Sequence, residues 1–303
     1  MKTLFFGTSE FAVPALRTTA QRTQLLAAVT QPDRPAGRGH KLRATPVKTA
    51  ALELGIPVLE PQSLHAFAQE CRVQAYDLFV LASYGRILPQ ELLDVPRLGS
   101  FNVHPSLLPK YRGATPIQTA LRSGDRETGV SIMLMDAGMD TGDIVLQERT
   151  PIAADERYGE LHDRLAAFGA QALSHALDLA RSGHIPHQPQ SGTPSVTRPI
   201  RKDDLAIDWN RPAQHIVDMV RAYAPVPGAR ATLAGLPVKV LRARTGMPSI
   251  APMGAGEIAG TTGDALAVRC ADGTVDILEL VAPNRGPQSG ASFAQAVRGS
   301  HER

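Results

Sequence analysis

The sequence predicts an α/β protein in two parts: a mostly parallel open sheet with helices on its faces and, after a linker, a smaller antiparallel β domain. Three observations carry this. Over the first half, short apolar runs alternate with helix-forming stretches. After Gly183 the texture changes to a segment rich in Pro, Ser, Thr and Gly without periodicity, and beyond it short β-type runs follow one another with turn signals between them.

Each element follows from its residues. TLFFG precedes SEFAVPALRTTA, LLAAVTQ precedes a basic loop and PVKTAALELG, and DLFVLAS precedes PQELLDV, an alternation that argues for right-handed βαβ units. YDLFVLA has the continuous apolar character of a strand covered on both faces. A long helix is predicted from Tyr158 to Ser182, where Leu161, Leu165, Phe168 and Ala172 repeat at helical spacing and Gly183 supplies the stop. HIPHQPQSGTPSVTRPIRKDD reads as an extended interdomain linker. Beyond it Asn210 can cap a short helix with Ile216, Val220 and Tyr223 on one face, ended by Pro225. ARATLAG, LPVKVLRAR, GEIAGTTG and ALAVRCADGTVDILEL then read as strands, with Asp272-Gly273 a hairpin turn, and suit a small barrel of the OB type. The expected division is 1–184, 185–204 and 205–303.

At 303 residues, 43% hydrophobic and 20% charged, the chain has the composition of an ordinary soluble protein, and no apolar run approaches the roughly 18 residues that span a bilayer. Leu4-Phe5-Phe6 is too short for a signal-peptide core. Cys71 and Cys270 lie far apart with no metal or redox spacing, and both are expected to be buried small residues in a reducing, cytoplasmic setting. A net charge of +3 permits an anionic partner without requiring one. The first strand is followed by GTSEFA, in which only Gly7 stands where a dinucleotide fingerprint needs three glycines. A Rossmann-like sheet without a nicotinamide cofactor is the better inference.

The chemistry is expected at FNVHPSLLPKYRGATPIQ, residues 101–118. With Val103 as the last buried residue of a strand, Asn102 and His104 share one face at its carboxyl end, where open α/β sheets bind ligands. His162 and His175 fall on the long helix and are expected to be exposed; His184 and His187 lie in the linker, and none has the companions of a metal site. MLMDAGMDTGDIVLQ breaks a strand with a loop holding Gly138, Gly142 and the carboxylates Asp136, Asp140 and Asp143, without a calcium-loop pattern. A carboxylate beside His104 would hold its tautomer and favour its protonated form. Spacing leaves open which of the three does so.

FNVHPSLLPKYRGATPIQ followed by ETGVSIMLMDAGMDTGDIV resembles the signature of the formyltransferases that use 10-formyltetrahydrofolate, whose Asn, His and Asp fall at the spacing of Asn102, His104 and Asp140. The similarity extends to GTSEFAVPAL at the start and to IDW and VRAYAPVPGA in the second part. The resemblance implies a Rossmann-like catalytic domain joined to an OB-like barrel, Asn102, His104 and Asp140 as catalytic residues, and no metal. It also implies a folate framed by Arg86, Ile87 and Leu88 and by the loop Ser106, Leu107, Leu108 and Pro109. TQPDRPAGRGHKLRATPVK resembles the loop inserted after the second strand in members that formylate initiator methionyl-tRNA, a loop lacking in the glycinamide-ribonucleotide and sugar-nucleotide relatives. It implies tRNA contacts from Arg34, Arg38, Lys41 and Arg43, joined by Arg201 and Lys202 in the linker, in a protein expected to be monomeric. Two residue patterns depart from those members: Val226 stands where a tryptophan is common, and VAPNRGPQSG follows the usual basic pattern loosely. A sugar-nucleotide N-formyltransferase and a non-catalytic RNA-binding protein are the rival readings.

Overall fold

Apolar runs long enough to be covered on both faces build the first sheet of the computed structural model, which describes residues 1–36, 41–248 and 254–301. By contacts the chain groups into two units. One comprises Met1–Gly113, Glu127–Pro151 and His162–Val196, and the other comprises Ala114–Arg126, Ile152–Leu161 and Thr197–Arg303. The order of modules 1–184, 185–204 and 205–303 stays a proposal.

In chain order the elements begin with β1 (Lys2–Gly7), α1 (Ala12–Arg22), β2 (Gln24–Val29), β3 (Arg34–Ala36), β4 (Lys41–Arg43), α2 (Pro46–Glu53), β5 (Val58–Leu59) and α3 (Leu64–Cys71). They continue with β6 (Leu78–Ala82), α4 (Gln90–Leu93), β7 (Ser100–His104), β8 (Arg112–Gly113), α5 (Pro116–Arg122), β9 (Glu127–Leu134), β10 (Ile144–Pro151) and α6 (Tyr158–Arg181). The sheet of the first unit has the order β10-β9-β7-β6-β1-β2-β5. Strands β5, β2, β1, β6 and β7 run parallel, and β9 and β10 add an antiparallel flank beyond β7. Leu4, Phe5 and Phe6 are fully buried, and Phe6 meets Phe79, Tyr84 and Phe67 in tilted and edge contacts. Helix α6 lies directly on β7, because a Cβ at Gly169 would stand only 2.8 Å from Val103 Cγ1. That helix buries Leu161, Leu165, Ala172, Leu173, Ala176 and Leu177, while Phe168 is half-buried.

Several local expectations are corrected. The basic segment is a short antiparallel ribbon rather than an irregular loop: Arg34 pairs with Arg43 and Pro35 with Leu42. Its base is tied by a Thr30–Thr45 hydroxyl pair at 2.8 Å and by Lys48, whose ammonium meets Asp33 at 2.9 Å and Glu60 at 3.1 Å. The linker is not free of the sheet, since Gln188 exchanges backbone hydrogen bonds of 2.8 and 3.1 Å with Ile144 at the start of the edge strand β10. His162 is half-buried, its ring edge-on to Phe11 at 5.5 Å, where exposure was expected. Cys71 is buried, but Cys270 is only half-buried.

The second unit joins α5 and α7 (Ala213–Tyr223) to an antiparallel sheet; β11 (Val196–Thr197) precedes it. Its strands are β12 (Ala229–Leu233), β13 (Leu236–Pro248), β14 (Ile258–Thr262), β15 (Ala265–Cys270), β16 (Gly273–Val281) and β17 (Pro287–Ser289), followed by α8 (Gly290–His301). The order is β12-β13-β16-β15-β14 with β17 on β16. Register shifts along the 13-residue β13 accompany its pairing with β16, and such irregularities bend a strand and increase its twist. This is the small β domain of OB-like type that the turn-separated runs predict. The β15–β16 hairpin turns at Asp272 as expected, and Asp272 does more than turn. Its Oδ1 accepts from the Ala213 N–H at 2.7 Å and so caps α7, while Asn210, the expected cap, donates to Asp208 instead. Asn210 lies too early, because Pro212 occupies the N-cap position and offers no side-chain acceptor.

Replacing Asp272 by Ala leaves the first turn of α7 uncapped and is expected to cost about 1 kcal/mol. Denaturant unfolding followed by circular dichroism checks this, and Asn210→Ala is expected to stay within about 0.5 kcal/mol of the parent, as exposed surface changes do.

Candidate active site

Strand β7 ends where the apolar run meets a proline, and its last residues carry the site. Val103 points under α6, so Asn102 and His104 share the opposite face, as period-two geometry requires. Asp140 comes to the same place from the loop between β9 and β10. Its Oδ2 accepts from the Gly113 N–H at 2.7 Å and lies 3.6 Å from His104 Nδ1, and its Oδ1 is 3.4 Å from Asn102 Nδ2. The structure therefore singles out one of three carboxylates. Asp136 is spent inside its own loop, accepting from the Gly138 N–H at 3.0 Å and from Thr141 Oγ1 at 2.6 Å, and Asp143 lies 3.6 Å from His187. Asp140 has φ of +53°, a left-handed conformation that Asp tolerates better than most residues but not without cost.

His104 is 4% exposed, and its Nε2 lies 3.0 Å from the Tyr111 carbonyl. A carbonyl only accepts, so Nε2 carries the hydrogen. Burial pushes the His104 pKa below its ordinary value; the Asp140 charge and the Tyr111 carbonyl push it back up without overcoming desolvation. Burial thus works against the protonated form that the neighbouring carboxylate favours. Both ring nitrogens face acceptors, so the half-buried Asn102 is the member of the trio whose second amide hydrogen has no protein acceptor among the described residues.

The expected folate segments are held rigidly. Ser106 Oγ donates to the Lys110 carbonyl at 2.6 Å. Ser131 Oγ donates to the Ser106 carbonyl at 2.7 Å and accepts from the Leu108 N–H, and Gln147 reaches the Leu108 carbonyl at 3.0 Å. Leu108 is buried and Leu107 half-buried. In the other segment the three side chains diverge. Arg86 donates to the carbonyls of Pro61 and Gln62, Ile87 is 89% exposed and Leu88 enters the core, so what this stretch presents in common is backbone. Arg86 and Ile87 line an open cleft of about 470 Å³ that includes none of the trio.

Of the basic residues, Arg34 and Arg43 are cross-strand neighbours on the ribbon and line a cleft of about 390 Å³ with Gln31 and Thr45. Arg34 also donates to Gln31 Oε1, whose Nε2 donates to the Tyr84 carbonyl at 2.7 Å. Arg38 lies outside the described residues, and Lys41 is described through its backbone in β4. Arg201 and Lys202 are exposed in the second unit at a 3₁₀ turn, Lys202–Leu205, where Asp204 accepts from the Arg201 N–H at 2.7 Å.

Sequence reasoning missed four participants: the Tyr111 carbonyl, the Gly113 N–H, Arg112 and Gln190. The first three stand in the motif itself, but the main-chain groups of Tyr111 and Gly113 leave no mark on residue identity, and nothing in the local sequence marks Gln190 as the partner of Arg112. Gln190 falls in the aperiodic linker, where nothing distinguishes it from its neighbours. Among the described residues no three His, Cys, Asp or Glu stand where they could hold a metal, and no helix is long and apolar enough to cross a membrane.

Residues 1–177 match the family described as formyl transferase, and residues 199–298 match its C-terminal domain. A methionyl-tRNA formyltransferase of Pelobacter propionicus is 46% identical over 294 residues, covering 96% of this chain and 91% of its own length. One from Pseudomonas paraeruginosa is 42% identical over 302 residues, covering 98% and 96%. Among solved structures, the fold resembles an N-formyltransferase from Helicobacter canadensis in complex with folinic acid and dTDP-3-aminofucose, with TM-score 0.67 and 18% identity over 95% of this chain and 99% of that one. It also resembles HypX from Aquifex aeolicus in complex with tetrahydrofolic acid, with TM-score 0.65 and 17% identity over 98% of this chain and 47% of that longer one.

Asp140→Asn removes the charge that favours the imidazolium, so the His104 pKa is expected to fall further below about 6.5, as read by NMR titration of the ring. Because the folded ring holds its proton more weakly than an unfolded histidine, it contributes stability that is present above about pH 6.5 and lost as pH falls through the folded value. In the variant that loss extends to lower pH. A ring pKa that stays in place would separate Asp140 from His104.

Proposed function

This chain belongs to the formyl transferase family, and we propose that it acts as a methionyl-tRNA formyltransferase, moving the formyl group of 10-formyltetrahydrofolate to the α-amine of initiator methionyl-tRNA. The observation that carries the chemistry is the convergence of Asn102, His104 and Asp140 at the carboxyl end of β7. The choice of acceptor is supported by the two relatives of that name, which are matched over nearly the whole chain, and by the basic ribbon inserted after β2.

The amine attacks the formyl carbon, a new C–N bond forms, and an oxyanion develops before the bond to N10 breaks. The Asn102 amide donates to that oxygen, and a donor already in place stabilises the charge without reorganisation. Asp140, fixed by the Gly113 N–H, draws the proton from the attacking amine through a water molecule. His104, pinned at Nε2, receives that proton from Asp140 at Nδ1 and passes it to N10 as the C–N10 bond breaks and the carbonyl re-forms. No electrons are exchanged, and the acyl group passes directly from nitrogen to nitrogen. The backbone of Arg86, Ile87 and Leu88 and the rigid loop Ser106–Pro109 frame the flat folate ring. Arg34, Arg38, Lys41 and Arg43, with Arg201 and Lys202, meet the phosphates of the tRNA, and the protein works as a cytoplasmic monomer. The likeness to the Helicobacter canadensis enzyme keeps a sugar-nucleotide acceptor as the alternative, and the basic ribbon disfavours it.

Asn102→Ala is expected to lower kcat by roughly a hundredfold, the scale of a lost oxyanion donor, with little change in folate binding. Formyl transfer to methionyl-tRNA, with uncharged tRNA and a sugar nucleotide as controls, reads this directly; near-normal turnover in the variant rejects the assigned role. Arg38→Ala and Arg43→Ala are expected to weaken use of methionyl-tRNA while leaving folate affinity alone. Each lost phosphate contact makes the log-log salt dependence of tRNA binding shallower by roughly 0.7 to 0.9. Arg149→Ala, which removes a surface cation paired with Glu127, serves as the control. Equal behaviour of all three moves the sugar-nucleotide reading ahead.

A further inference from the structure

We propose that Gln190 is a positioning residue of the formyl transfer: its side-chain amide fixes the main chain of the Asp140–Gly142 turn, and thereby aims the Asp140 carboxylate at Asn102 and His104. This rests on the reading of Asp140 as the group that moves the proton.

The geometry is that of a clamp. Gln190 Nε2 lies 2.9 Å from the Asp140 carbonyl and 2.8 Å from the Gly142 carbonyl, so its amide hydrogens go to the turn that carries the carboxylate. Its Oε1 accepts from Arg112 Nε at 3.1 Å and Nη2 at 2.7 Å. The amide inventory is thus used in full, and a guanidinium on its oxygen polarises the group into a better donor. Arg112 immediately precedes Gly113, whose N–H holds the Asp140 carboxylate at 2.7 Å. The main chain and the side chain of Asp140 are therefore both referenced to residues 112 and 113, one through Gln190 and one directly.

The turn needs such a hold. Asp140 sits in the left-handed region at φ of +53°, which Asp adopts more readily than most residues but still at some cost, so the turn gains from being held. Gly142 is pressed against the end of β9: a Cβ there would stand 1.8 Å from the Leu134 carbonyl, so the turn cannot relax in that direction. The chain around Gln190 is itself held against the catalytic loops. Ser195 accepts from the Tyr111 N–H at its Oγ at 2.8 Å and from the Arg112 N–H at its carbonyl at 2.9 Å, and its own N–H donates to the Pro109 carbonyl at 3.2 Å. Tyr111 in turn supplies the carbonyl that pins His104. A segment with the composition of a linker is, in this protein, an arm of the active site.

Two substitutions test this in the full-length protein. Gln190→Leu keeps the bulk and removes every polar contact, whereas Gln190→Glu keeps the length and a partner for Arg112 but has no N–H to give to the carbonyls. Both are expected to lower kcat ten- to a hundredfold, the scale of a reacting group misplaced by about 1 Å, with KM for folate and for methionyl-tRNA changed less than about twofold. The Asp140 charge acts on His104 from one side and the Tyr111 carbonyl from the other, so loosening Asp140 also shifts the His104 titration downward, in the direction of Asp140→Asn. If Gln190→Leu fails to fold, Gln190→Glu decides alone. Full turnover in a folded variant beside an inactive Asp140→Asn overturns the proposal and leaves the function standing. Loss of turnover with an unmoved His104 titration, or with KM rising in step, assigns Gln190 to general folding and overturns it too. A wild-type protein that does not formylate methionyl-tRNA refutes the functional reading itself.

Discussion

One carboxylate in a left-handed turn governs the site. Asp140 reaches Asn102 and His104 in a turn where the Gly113 N–H donates to its Oδ2 at 2.7 Å and where Gly142 packs so closely on the Leu134 carbonyl that a Cβ would stand 1.8 Å from it. Everything else is arranged around this contact. Strand β7 supplies a fixed edge, packed from behind by α6 with no side chain at Gly169 between them. The antiparallel flank β9 and β10 then brings the acidic loop back to the carboxyl end of that same strand. An open parallel sheet gives the address, and the reversal at its flank supplies the carboxylate.

Two opposed effects act on His104, and their order matters. Removal from water disfavours the imidazolium, while a carboxylate at 3.6 Å and a carbonyl at 3.0 Å favour it. Desolvation is the larger, so the His104 pKa lies below its ordinary value, and the Nε2 hydrogen is committed to the Tyr111 carbonyl. In the proposed reaction, a ring whose two protonation states are brought closer by these opposed effects is suited to pass a proton between two nitrogens.

How much of this was legible depends on what each contact is made of. The parallel strands declared themselves in unbroken apolar runs such as Leu78–Ala82, and the long helix in the spacing of Leu161, Leu165 and Ala172. Asn102 and His104 could be placed on one face by strand period alone. The choice among Asp136, Asp140 and Asp143 could not be made from the physics of the residues, because it depends on which carboxylate finds the Gly113 N–H and which is consumed by Gly138 and Thr141. The cap of α7 was misread for a similar reason: Asp272 is 59 residues from Ala213, and a long-range acceptor outcompetes the local Asn210. The aperiodic segment after Gly183 hid Gln190, since it touches the sheet edge at a single bridge, Gln188 to Ile144, too short for any periodicity to show.

A second line of contact links the two ends of the proposed chemistry within the same unit. Arg34 on the basic ribbon donates to Gln31, and Gln31 donates to the Tyr84 carbonyl, one residue before the Gly85-Arg86-Ile87-Leu88 stretch. Gly85 has no room for a side chain on that side, because a Cβ would lie 2.6 Å from Gln31 Nε2. Gln31 itself is buried, and the ribbon's base is closed by the Thr30–Thr45 pair and by Lys48 between two carboxylates. The basic ribbon is therefore tied through Gln31 to the stretch that begins at Tyr84, and not only to the sheet edge. An anion that draws Arg34 away from Gln31 leaves a buried amide oxygen without its donor, a cost of about 1–3 kcal/mol that the complex must offset.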